Sequence, residues 1–271
     1  MKLLFCGDVI GKAGRRVVFD TVPKLRRQLG LDMVIVNAEN ATHGFGLTPR
    51  HYEEFLKYGT DVITLGNHSF DKPEIFPILE TRDNIVRPLN YPENTIGRGW
   101  CLFTTKSGMR VAVVQLIGQI YMKPAKDPFC VIDEWLKTHV KGVDYDVLFV
   151  DFHAEATAEK NGLGHFVDGR ASIIVGTHTH IPTADYRILP KGTAYMSDVG
   201  MCGDYDSVIG MVTAGALTRF CSPDHKGRLQ PAEVNGTFCA IYVEINDTTG
   251  MPIRISPVRM GAFLENTFVL E

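Results

Sequence analysis

The chain has 271 residues, 45% hydrophobic and 22% charged, with a formal net charge of −3. These are ordinary values for a soluble globular protein long enough to bury a core without disulfides or a structural metal. They exclude global electrostatic attraction to nucleic acid or an anionic membrane, so a polyanionic ligand would need a local positive site. The six cysteines (Cys6, Cys101, Cys130, Cys202, Cys221 and Cys239) form no C-x-x-C pair and no regular spacing, and read as small core residues in a reducing compartment. The first residues turn polar too soon for a signal peptide, and no apolar run has the length of a membrane span, so a cytoplasmic location is expected.

Taken in chain order, short apolar runs rich in β-branched residues recur and end in polar or glycine-containing clusters. The run 2–6 ends at Gly7-Asp8, and 33–36 ends at Asn37-Ala38-Glu39-Asn40. The run 62–65 ends at Gly66-Asn67-His68, 147–150 at Asp151-Phe152-His153, and 172–175 at Gly176-Thr177-His178-Thr179-His180. Continuous apolar runs, as opposed to alternating ones, predict strands covered on both faces. Between them, Val17, Val18, Val22, Leu25 and Leu29 recur at helical spacing up to a stop at Gly30, and Thr48-Pro49 opens a second helix with Tyr52, Phe55 and Leu56 on one face. A third helix is predicted over 127–140, and plain strands near 110–116, 193–196, 237–245 and 253–260. The pattern predicts a single 1–271 domain of two packed sheets flanked by helices, without linker or repeat.

Ligands of α/β sheets bind beyond the carboxyl ends of strands, and here five such ends carry oxygen or imidazole side chains. Asp8, Glu39, Asn40, Asn67, His153, His178 and His180 make a mixed oxygen and nitrogen set suited to Mn, Fe, Zn or similar divalent ions. The absence of thiolates among them argues against a structural zinc site. In an extended segment His178 and His180 would share a face, with Cα atoms roughly 6.5–7 Å apart. That span can serve two ions about 3.5–4 Å apart.

Gly7-Asp8, Gly66-Asn67-His68 and Gly176-Thr177-His178-Thr179-His180 resemble the signature blocks of the calcineurin-like metallophosphoesterases. The segments Gly7-Asp8-Val9-Ile10-Gly11, Asn37-Ala38-Glu39-Asn40, Asp151-Phe152-His153-Ala154-Glu155-Ala156-Thr157 and Asp198-Val199-Gly200-Met201 resemble the bacterial YmdB family within it, from the first strand to about residue 210. The resemblance implies an α/β class fold, a four-layer α/β/β/α sandwich. It also implies a phosphodiesterase acting on small cyclic nucleotides, 2′,3′-cyclic AMP included. It further implies two divalent metal ions, iron with manganese as the alternative. One would be held by Asp8, Glu39, Asn40 and His180, the other by Glu39, Asn67, His153 and His178, with a metal-bridging hydroxide as nucleophile and His68 as proton donor. Where the wider superfamily has a histidine this chain has Ile10, and Glu39 stands for the usual bridging aspartate; both departures match the YmdB subgroup.

Two other readings use the same residues: a nucleotidase or protein phosphatase on the same dinuclear site, and a regulatory nucleotide-binding protein with incidental turnover. No membrane or stable nucleic-acid partner is implied, and the size is compatible with a homo-oligomer. Gly7, Gly11 and Gly14 are spaced G-x-x-x-G-x-x-G, which is not the dinucleotide-binding fingerprint. Lys12, Arg15 and Arg16 read as a solvated helix face, with contact to a substrate phosphate as the alternative, Phe45 as either packing or a base contact, and the glycine-rich segment 197–203 as part of the pocket wall, with the role of Asp198 open. His139, His165 and His225 lie outside the resembling blocks and are assigned no role.

Overall fold

The computed structural model describes residues 1–222, 224 and 229–268; His225 lies outside them. In chain order the elements are β1 (Lys2–Cys6), β2 (Asp8–Val9), α1 (Gly11–Leu29), β3 (Met33–Asn37), α2 (Pro49–Lys57), β4 (Val62–Thr64), α3 (Phe76–Thr81), β5 (Ile85–Val86), β6 (Trp100–Thr104) and β7 (Arg110–Ile117). There follow α4 (Pro128–Thr138), β8 (Val147–His153), α5 (Thr157–Phe166), β9 (Ile173–Thr177), β10 (Arg187–Ile188), β11 (Ala194–Met196), β12 (Met201–Asp204), α6 (Thr213–Cys221), β13 (Gly236–Ile245) and β14 (Pro252–Met260).

The strands form two sheets. The first runs β2-β12-β13-β1-β3-β4-β5, with β14 also paired to β13; the second runs β10-β11-β9-β8-β7-β6. In the first, β1, β3, β4 and β5 are mutually parallel, while β13 lies antiparallel to β1. In the second, β7, β8, β9 and β11 are parallel. The parallel strands of each sheet are therefore covered on both faces, as their unbroken apolar runs require.

Strand periodicity divides the core into three layers. Leu3, Phe5, Met33 and Ile35 face Val111, Val113, Phe149 and Ile173 between the sheets, where Phe5 and Phe149 meet at 5.0 Å. The alternate residues Leu4, Cys6, Val34 and Val36 point outward onto Val18, Val22 and Leu25 of α1 and Tyr52 and Phe55 of α2. On the far side Ala112, Val114, Leu148 and Val150 pack on Ile132 and Trp135 of α4 and Leu163 of α5. The result is helix, sheet, sheet, helix, the four-layer arrangement expected.

Helix α1 ends where its sequence said it would, with Gly30 at φ 64 closing it through a backbone bond to Arg26. It starts earlier, at Gly11, because its first turn buries small residues (Gly11, Ala13, Gly14) that leave no apolar periodicity to read. Asp127 caps α4 through Phe129 and Cys130 N–H. Four cysteines are buried, but Cys130 and Cys221 are exposed, against the expectation of core positions; all six are free thiols. Among the described residues no helix is long and apolar enough to cross a membrane.

Candidate metal centre

All seven candidate ligands meet at the carboxyl ends of the strands, over the seam between the sheets. The oxygen donors come from the first sheet: Asp8 opens β2, Glu39 and Asn40 follow β3, and Asn67 follows β4. The nitrogens come from the second: His153 ends β8, and His178 and His180 follow β9. His153 Nε2 lies 3.0 Å from Glu39 Oε1, 2.8 Å from Asn67 Oδ1 and 3.2 Å from His178 Nδ1. Beside this group, Asn40 Nδ2 is 3.0 Å from His180 Nε2, and Asp8 Oδ1 is 4.0 Å from His180 Nε2 and 3.9 Å from His153 Nδ1. Glu39, His153 and His178 bring one donor atom each within 4.8 Å of one another.

Each imidazole has one nitrogen tied to an outer partner, which aims the other inward. His153 Nδ1 bonds Thr177 Oγ1 at 2.8 Å, and that hydroxyl donates to Asp151 Oδ1 at 2.7 Å. His178 Nε2 pairs with Glu155 at 3.1 Å. His180 Nδ1 bonds the carbonyl of Ile209 at 2.9 Å. This is how metal-binding histidines are oriented. Asp151 is itself fully buried and accepts from Thr64 at 2.5 Å and Asn37 at 3.1 Å, which stitches the two sheets together beneath the cluster.

The donor set fits divalent cations on a second observation. Asp8 Oδ1 and Asn40 Oδ1 are buried oxygens without a hydrogen-bond partner, and Glu39 Oε1 has only the ion pair with His153. Such under-satisfied oxygens in one place would be a heavy desolvation penalty unless a cation satisfies them. Electrostatics agree. Burial pushes the Asp8 carboxyl well above the usual range, countered by the charge of His153. Burial also opposes charge on Glu39 and His153, yet their mutual attraction wins, holding Glu39 at about 2 and raising His153 to about 9. Burial, then repulsion from His153, lowers His178 to about 3, and burial lowers His180. The cluster thus draws positive charge onto the one imidazole closest to its carboxylates.

The backbone is shaped for this convergence. Strand β9 stops at Thr177, and His178 and His180 adopt φ of 97° and 67°. The extended conformation expected for this pair is therefore not found; both histidines sit in the left-handed region that non-glycine residues avoid. The strain is held by Asp198, which accepts from Thr179 N at 3.1 Å and Oγ1 at 2.7 Å and from Lys160 Nζ at 2.7 Å. Gly66 shows the opposite economy of space: a Cβ there would press against Glu39 Oε2 and lie 2.6 Å from His153 Nε2.

His68 is held as a partly exposed group at the rim. Its backbone N–H donates to Glu39 Oε2 at 2.9 Å, and its Nδ1 lies 2.6 Å from Asp71 Oδ2. The edge of Phe45 meets its ring at 5.0 Å. A cavity of about 520 Å³ opens over Glu39, Asn40, His68, His178 and His180. Segment 197–203 does not line it; Asp198 is buried behind the histidine loop as its anchor, and residues 201–204 form β12. Arg15 is likewise not a solvated side chain, since it binds the carbonyl of Ala41 beside the candidate ligand Asn40, whereas Lys12 is exposed. Thr177, Glu155, Asp71 and Ile209 were missed from the sequence; of these only Asp71, three residues beyond His68, had a spacing that could have been tested.

An α/β/β/α sandwich with oxygen donors on one sheet and imidazoles on the other, meeting at the strand ends, defines a calcineurin-like metallophosphoesterase. Comparison with known proteins is specific: the family model described as YmdB-like protein matches residues 4–258, and the chain belongs to that family. It is 44% identical over 258 residues to a 2′,3′-cyclic-nucleotide 2′-phosphodiesterase of Bacillus subtilis, covering 95% of this chain and 96% of the relative. Among solved structures it resembles a hypothetical protein from Thermus thermophilus, with TM-score 0.90 and 40% identity, covering 96% of this chain and 99% of the other. It also resembles a phosphatase from Mycoplasma pneumoniae, with TM-score 0.89 and 35% identity, covering 96% and 93%.

Proposed function

We propose that the protein is a metal-dependent phosphodiesterase that hydrolyses 2′,3′-cyclic nucleotides at the 2′ oxygen, releasing 3′-nucleotides. The supporting observation is the pair of unpartnered buried oxygens, Asp8 Oδ1 and Asn40 Oδ1, beside the Glu39 carboxylate and opposite inward-facing imidazole nitrogens. The activity of the Bacillus subtilis relative supports the substrate class. Asp8, Glu39, Asn40 and His180 would hold one divalent ion and Glu39, Asn67, His153 and His178 the other; the mixed oxygen and nitrogen set accepts iron or manganese, the ions the family resemblance implies, among other divalent transition metals. Bound there, the ions supply positive charge for the phosphoryl oxygens and make water a stronger nucleophile at neutral pH.

The chain's own residues do the rest. The main-chain N–H of His68 fixes Glu39 Oε2, so that the carboxylate and the acid are set by one residue. Asp71 accepts from His68 Nδ1, which leaves Nε2 as the atom that gives a proton to the departing 2′ oxygen. Glu155, Thr177 and Ile209 keep the three ligand imidazoles in the tautomers that face inward.

The test is a panel of 2′,3′-cyclic nucleotides, phosphomonoesters and a phosphopeptide, offered to anaerobically purified protein of measured metal content. Preferential turnover of the cyclic nucleotides, with 3′-nucleotide as product and loss of activity in Glu39→Gln, is the expected result. Activity confined to phosphomonoesters or the phosphopeptide would refute the reading.

A further inference from the structure

The cavity over the metal centre has two unlike halves. Around Glu39, Asn40, His178 and His180 it is polar, which is all that a phosphate group requires. The other half is formed by Phe45, Val208, Ile209, Met211, Ala216 and Phe220. Its most informative residue is Ile209. Val208 and Met211 exchange backbone hydrogen bonds at 2.9 Å, closing a two-residue turn whose central pair, Ile209 and Gly210, has φ of 45° and 93°. A turn with positive φ at both central positions favours Asn-Gly, and a β-branched residue is strained at its first position.

Ile209 nevertheless occupies that position and is 47% exposed. Neither the turn nor the protein core has a use for it there. Its carbonyl is spoken for by His180, but any residue has a carbonyl. Only the side chain distinguishes isoleucine, and the residue lines the cavity. Phe220 on α6 lines the same cavity and is 77% exposed, and Arg219 beside it also lines it.

We infer that the apolar half, with Ile209 and Phe220 as its walls, is a nucleobase subsite that sets the preference of the centre for nucleotides over other phosphodiesters. The inference rests on the phosphodiesterase reading for the placement of the phosphate. A planar base joined to a phosphate through one ribose matches an apolar slot continuous with a polar floor. Arg219 at the rim can stack on the base or donate to its edge.

The experiment measures binding of adenosine 3′-phosphate and of its abasic counterpart, ribose 3-phosphate, to the metal-loaded protein by calorimetry. It compares the native chain with Ile209→Asn and Phe220→Ala. Asparagine suits the turn, retains the carbonyl to His180 and removes the apolar branch, so Ile209→Asn should melt no lower than the native protein. The ratio of the two affinities should favour the adenine ligand in the native chain and fall roughly fivefold to tenfold in each variant, the order of one lost base contact. An unchanged ratio in both variants, or no preference for the base in the native chain, overturns the subsite. Turnover of 2′,3′-cyclic AMP is followed separately: its absence beside an intact base preference would reject the phosphodiesterase reading and leave the subsite standing.

Discussion

At the scale of single residues, the proposed proton donor and the proposed ligands differ in what their removal should do. His68 touches the cluster only through its backbone N–H, while its ring leans on Asp71 and Phe45. His68→Ala should therefore lower kcat by on the order of a hundredfold or more with metal content retained. Asp71→Asn should have a smaller effect of the same kind, since it weakens the orientation of the ring without removing it. Loss of metal together with activity in His68→Ala would assign the ring a structural role. Gly66→Ala is the contrasting case. With a methyl group forced onto Glu39 and His153, the purified protein should lose metal stoichiometry as well as activity. Elemental analysis of the two variants side by side separates the roles.

At the scale of elements, helix α5 and the loop between β11 and β12 are joined by the Lys160–Asp198 pair, at 2.7 Å with both side chains almost fully buried. Removing one partner strands the other's charge in the core, so Lys160→Met should cost roughly 3–5 kcal/mol in chemical denaturation. It should also weaken metal binding, because Asp198 holds Thr179 between the two strained histidines. A second pair fixes the start of β7 to the start of β8. Hydrogen bonds from Arg110 hold the Asp146 carboxyl below the usual carboxylate range. A carboxyl depressed on folding adds stability above its unfolded pKa and loses it as pH falls through the folded value. The melting temperature should thus fall below about pH 4, the ordinary aspartate pKa, and Asp146→Asn should flatten that part of the profile. An identical acid limb in the variant would show that other carboxylates dominate.

The same scale shows what a sequence reveals and what it hides. Every candidate ligand sits where an apolar run breaks into polar residues, and that break is legible without a structure. The layers follow from strands apolar at every position. The two-residue strands β2 and β5 are too short to show any period, and β10 has both residues exposed. The histidine loop misleads for a physical reason. Two residues apart on a strand would share a face, but the strand had already ended, and tertiary contacts from Asp8, Asp198 and Ile209 impose a backbone that local preference disfavours. Thr177, Glu155 and Ile209 are residue types with many uses, and only proximity to an imidazole gives them this one.

For the whole molecule, the two sheets are joined by an apolar layer and, at one end, by the cluster itself. Phe149 lies at the centre of that layer against Phe5, and Phe149→Ala should destabilise by about 3–5 kcal/mol through transfer and cavity costs. Metal binding should act on the same seam. Because donors come from both sheets, chelation should lower the melting temperature of the metal-loaded protein by roughly 5–15 °C, the effect expected for ligands at a hundred to a thousand times their dissociation constant in a chain of this size. A melting curve that ignores the chelator would show that the ions do not bridge the sheets.

The split of donors between the sheets also separates two chemical controls along the chain. The hard oxygen donors all lie within the first 67 residues and the imidazoles all lie beyond residue 150. The appetite of the centre for oxygen-loving or nitrogen-loving ions can therefore be tuned from one half of the gene without touching the supports of the other. A substitution such as Asn40→His would move the set toward softer ions while leaving Thr177, Glu155 and the Ile209 turn in place.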